Sequence, residues 1–141
     1  MTNFLRTILG VPDFNIIRLL DYEATLTGIT KALISLAEDA RIEQGDAIVI
    51  FYAGHGAEAL PPVDMDSNGK RMQLLAPYDF DIKQTSVTPD TEDGERCGDT
   101  TFNVVKNGLL DIQLSGLLKD IADAKGDNIV SALVQFMLAF F

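Results

Sequence analysis

The single histidine, His55, lies in the run Phe51-Tyr52-Ala53-Gly54-His55-Gly56-Ala57. Imidazole has an ordinary pKa of about 6.5, so it can accept and return a proton near neutrality. Gly54 and Gly56 flank it, and without Cβ atoms they leave the backbone free for positive φ and close approach to a ligand. In that setting the Gly56 N–H is a candidate oxyanion donor. Proton transfer of this kind serves a nucleophile, and the sole cysteine, Cys97, stands in the hydrophilic stretch Gly94-Glu95-Arg96-Cys97-Gly98-Asp99. Glu95 and Asp99 disfavour a thiolate there, and Arg96 offsets them only in part. With no strand before it to hold it, Cys97 lacks the sub-ångström placement that catalysis needs, and it is not expected to be the nucleophile. Asp64, Asp66, Asn68 and Gly69 spell the opening of a calcium loop, but Leu75 occupies the position of the closing glutamate. That loses two oxygen ligands. The segment reads as an acidic turn, and neither a metal nor a cofactor is expected.

The elements around these residues follow from apolar spacing. Phe4, Leu5, Ile8 and Leu9 recur at helical intervals before Gly10, which marks a helix over 2–9 and its end. After Pro12-Asp13, the stretch Phe14 to Leu20 is rich in β-branched and aliphatic residues and reads as a strand. Asp21 is a candidate cap for a helix whose Leu26, Ile29, Leu33, Leu36 and Ala40 share a face. Ala47 to Ala53 is almost wholly apolar, as a strand covered on both faces should be. Strand, helix and strand in succession predict a βαβ unit and a parallel sheet. His55 then falls just beyond a strand's carboxyl end, where open α/β sheets bind ligands. Met72 to Ala76 forms a short apolar run, and 81–104 is polar and acidic enough to read as a mobile loop. Asp111 is a candidate cap for a last helix carrying Leu114, Leu117, Leu118 and Ile121, and an apolar run starts at Asn128.

The chain has 141 residues, 47% of them hydrophobic, which suits one domain over 1–141. Eleven basic against 21 acidic residues give a net charge of −10. That balance excludes a nucleic-acid platform and disfavours anionic membranes. A single cysteine cannot form an internal disulfide, so a reducing, cytoplasmic setting is expected. The first ten residues lack the basic region of a signal peptide. The apolar run from Asn128 falls short of the roughly 20 residues that span a bilayer.

Taken in order, LGVPDFNIIRLLDYEAT, ITKALISLAEDARIEQGDAIVIFYAGHGAE, LLAPYDF and GLLDIQLSGLLKDIADAKGDNI resemble the caspase/metacaspase superfamily, and the short fungal caspase-domain proteins in particular. The resemblance implies an α/β three-layer sandwich on a mostly parallel sheet. It makes His55 one half of a Cys–His dyad that cleaves peptide bonds, with the Gly56 N–H helping to hold the oxyanion. The partners implied are a protein or peptide substrate, or a caspase-like paralogue. Ala76 to Phe80 matches an element near the rim of the site, with no catalytic role carried onto Asp79.

The sequence departs from the family at the nucleophile, which is due at the end of the strand following Gly126-Asp127-Asn128-Ile129. No Cys, Ser or Thr stands there, and Ser131 comes too early. The family's opening strand is also without a match, so an incomplete domain is expected. A gap is then expected beside the strand starting at Ala47. The apolar C-terminal run either fills that gap, extends the last strand or stays exposed. The function implied is that of a cysteine endopeptidase domain inactive by itself. Two alternatives remain: a non-catalytic homologue that binds and regulates a partner, and an unrelated doubly wound module with a small ligand near His55.

Overall fold

The computed structural model describes residues 1–59, 71–87 and 100–137. In order, it contains α1 (Thr2–Thr7), α2 (Leu26–Glu38), β1 (Ile48–Ala59), β2 (Met72–Ala76), β3 (Asp81–Val87), β4 (Thr100–Lys106), β5 (Leu109–Leu110), α3 (Asp111–Lys125) and β6 (Ile129–Met137). The fold is mixed α/β. A four-stranded mixed sheet runs β5-β2-β1-β6, and β3 pairs with β4 in a separate antiparallel ribbon. Among the described residues no helix is long and apolar enough to cross a membrane.

Both long helices cover one face of the sheet. Leu33 of α2, Ile48 of β1 and Ile121 of α3 form the buried centre, with Ile29, Leu36, Ile50, Leu114, Leu117 and Ile129 packed around it. The helical face read from Leu26 to Leu36 is therefore the face that docks, although the helix ends before Ala40. Its cap is Thr25, whose Oγ1 accepts from the Gly28 N–H at 3.1 Å, and not Asp21. Asp21 instead opens a single 3₁₀ turn with φ +46. Asp111 sits one position inside α3, whose N-cap is Leu110, and its carboxylate accepts from the Ile112 N–H.

The expected strand over 14–20 is absent. Asp13–Asn15 is a 3₁₀ turn, and 16–20 has no strand partner among the described residues. Strand propensity there is not matched by any pairing among the described residues, and a strand exists only through its pairing. Phe14 and Ile17 are left exposed. The parallel unit forms later in the chain, from β1 through α3 to β6. The apolar run after Asn128 extends the last strand. The acidic segment expected as a loop over 81–104 is, in its described parts, the β3–β4 ribbon, with Asp81 opposite Lys106 and Val87 opposite Thr100.

The base of the β1–β6 pair is clasped by the ends of both helices. Lys125 Nζ donates to the carbonyls of Asp39 and Ile42 at 2.8 and 3.0 Å. The Gly45 N–H donates to the Lys125 carbonyl at 2.7 Å, and the Ile48 N–H to that of Asn128 at 3.0 Å. Gly45 and Gly126 both carry φ +92, a conformation that glycine adopts without a Cβ penalty. These contacts start the two strands side by side and so set Ile48 opposite Ile129 and every pair above it.

Side chains alternate along β1. Ile48 and Ile50 turn to the helices, whereas Val49 and Phe51 are 45% and 39% exposed on the opposite face, beside Val130 at 59%. Among the described residues the sheet is covered by long helices on one side only, where the resemblance implied layers on both.

Candidate functional site

β1 runs on through Gly54, His55 and Gly56 to Ala59, six residues beyond the strand end expected at Ala53. His55 is therefore inside the sheet, opposite Ala76 of β2 on one side and Phe136 of β6 on the other. Its side chain is exposed. Neither Gly54 nor Gly56 has positive φ, because both lie in extended backbone. The sequence missed this continuation because two glycines usually punctuate a strand, and here pairing on both sides carries it past them.

Gly54 is needed for space. A Cβ at this position would collide with the ring of Tyr52, which lies over it. The Tyr52 hydroxyl reaches past Gly54 to the Ala76 carbonyl at 2.9 Å and the His55 carbonyl at 3.0 Å, sharing its proton between them. Burial pushes the Tyr52 pKa up despite the bond to Ala76, so the group stays a donor. Removing the hydroxyl in Tyr52→Phe should cost about 1 kcal/mol. Gly54→Ala should cost more, since the whole ring must leave. Urea unfolding of the two variants checks the order, and an unaffected Gly54→Ala protein contradicts the clamp.

Gly56 is buried and paired on both sides, with Leu75 and Met137. The Ile48 N–H points to β6, and strand alternation directs those of Ile50, Tyr52, Gly54 and Gly56 the same way. Its amide is thus committed to the β1–β6 ladder, and it can serve an oxyanion only if that bond is released.

A cavity of about 550 Å³ opens beside His55. Tyr52 to Ala57 form one wall, Asp21 and Ala24 another, and Pro77, Tyr78 and Phe80 contribute from the turn after β2. That turn is pinned at three points. The Asp79 carboxylate accepts from the Leu26 N–H at 2.8 Å, at the start of α2. The Tyr78 N–H donates to the Ala24 carbonyl at 2.9 Å, and Asn107 Nδ2 to the Asp79 carbonyl at 3.0 Å. Asp79 is thus a helix cap that holds a cavity wall, a long-range role that local sequence does not signal.

At the register of His55, β6 brings Phe136, with Gln135 and Met137 on either side. Ser131 is opposite Ile50, five positions away along β1, or roughly 16 Å at about 3.3 Å per residue. Cys97 and the Asp64–Gly69 turn lie outside the described residues. Among the described residues no group of three or more His, Cys, Asp or Glu side chains could hold a metal ion. A scan of known protein families finds no match to this chain, and no curated protein matches it.

Proposed function

We propose that this chain is a caspase-type cysteine endopeptidase domain without its nucleophile, which holds an extended peptide beside His55 and does not cut it. The observation that carries the reading is the register of β1 and β6. The strand that resembles the family's nucleophile-bearing strand runs parallel to the histidine strand, yet sets Phe136 opposite His55. Gln135, Phe136 and Met137, which β6 sets at this register, bring no thiol or hydroxyl, and an imidazole alone can orient a bound peptide but cannot start acyl transfer. A caspase-like identity of the fold belongs to this same proposal, as does a cytoplasmic setting. The expected mostly parallel sheet does not, because β1–β2 and β2–β5 pair antiparallel and only β1–β6 pairs parallel in the four-stranded sheet. Tyr78 and Phe80 offer aromatic surface to a peptide, and Asp21 offers a carboxylate in the same cavity.

The test is titration of a capped-tetrapeptide mixture into the purified chain, followed by NMR of the His55 imidazole and the Tyr78 and Phe80 rings. All three should shift together, without peptide cleavage. Cleavage that vanishes in His55→Ala would reveal a nucleophile and overturn the reading. An absence of shifts at His55 would overturn the peptide site.

A further inference from the structure

One edge of β1 is open. β6 pairs with Ile48 to Gly56 on one side, but β2, on the other, reaches only His55 to Ala59. Ile48 to Gly54 therefore have no strand on the β2 side among the described residues. The direction of each amide follows from one bond: since the Ile48 N–H donates to Asn128 in the β6 direction, alternation turns Val49, Phe51 and Ala53 to the open edge. Their N–H and C=O groups form a row at the spacing of an extended chain. Val49 and Phe51 also expose their side chains, which adds an apolar strip to the polar row. At the upper end, Tyr52, Ala53 and Gly54 face Asp21 and Ala24 across the cavity.

We propose that this edge is a strand-addition site, filled by a single extended segment of a partner protein with apolar alternate residues and basic flanks. An extended backbone is the one structure whose donors and acceptors match a bare strand edge along its whole length. The apolar alternation follows from Val49 and Phe51, and the basic flanks from Asp21 at the cavity and the chain's net charge of −10. The open edge rests on the strand pairing, and the inference holds whether or not His55 binds a peptide.

Amide hydrogen exchange on the intact chain tests it, with the capped peptide Lys-Val-Thr-Val-Thr-Val-Lys as the probe. Without the probe, Val49, Phe51 and Ala53 should exchange quickly while Ile50 and Tyr52 stay slow. At a probe concentration ten times its Kd, exchange at Val49, Phe51 and Ala53 should slow about tenfold. The same peptide N-methylated at alternate residues should leave them unchanged, and a Glu-flanked version should bind more weakly. Slow exchange at these three amides before addition would mean that the edge is already covered, and would overturn the proposal. So would equal protection by the N-methylated peptide. Protection that rises with protein concentration alone would assign the edge to a second copy of this chain and overturn the partner segment.

Discussion

Phe136→Cys, made in a Cys97→Ser background, is expected to give a thiol that reacts with iodoacetamide at pH 6 about tenfold faster than the same protein carrying His55→Ala. Position 136 is in register with His55 on a neighbouring strand. Adjacent strands lie about 4.8 Å apart, and residues in register share a face. That brings a cysteine thiol within reach of the imidazole. Cysteines paired with histidine have pKa values well below the ordinary 8.5. A fall to about 6.5 would raise the thiolate fraction at pH 6 from roughly 0.3% to about 24%. Intrinsic nucleophilicity falls as pKa falls, with a Brønsted slope of about 0.4–0.5, which removes a factor of about eight. The net gain is about tenfold. Equal rates with and without His55 would show that the strands are not in this register in solution, and the proposed relation to cysteine peptidases would lose its main support.

Alkylation should outrun hydrolysis in that variant. The Gly56 amide is turned to β6 and is not free for a developing oxyanion, and loss of one such donor typically costs about 10²–10³ in turnover. A labelled but hydrolytically poor protein is thus the expected product of placing sulfur alone at position 136.

The sequence made the helices legible because their spacing and their burial have one cause. Leu33 and Ile121 were assigned to helical faces from periodicity, and those faces meet at Ile48. The start of β1 was legible in the same way, from an unbroken apolar run. Pairing partners were not. Phe14 to Leu20 has the composition of a strand but pairs with none among the described residues, whereas the polar segments 81–87 and 100–106 lack that composition and pair with each other. Local propensity is a weak determinant where a partner strand decides the outcome. His55 was legible as a residue, from its type and its glycine neighbours. Its setting was not, because β2 and β6 draw β1 onward through Gly54 and Gly56. The Tyr52 clamp and the Asp79 cap join residues 24 and 53 positions apart, beyond any local pattern.

Ile121→Ala should be the most damaging single truncation of the helix-covered core. Ile121 is fully buried, at 0% exposure, and packs with Leu33 and Ile48 where α2, α3 and β1 meet. Truncating a buried isoleucine to alanine costs about 2–5 kcal/mol, the larger values arising where the surroundings cannot collapse into the void. Here two helices and a central strand fix the walls. A domain of ordinary stability has roughly 5–15 kcal/mol in all. This one buries only seven hydrophobic side chains among its described residues and exposes Val49, Phe51 and Val130, which argues for the lower part of that range. The substitution should therefore remove a third or more of the stability, measured as a fall in the urea midpoint. Ile112→Ala, on the same helix but 53% exposed, should change it by less than about 0.5 kcal/mol. If Ile121→Ala does not fold, Ile121→Val supplies the measure, at about 0.5–1.5 kcal/mol. Similar small losses at 112 and 121 would mean that α3 is not docked on the sheet. The clasp that sets β6 against β1, and with it the register opposite His55, would then have no support.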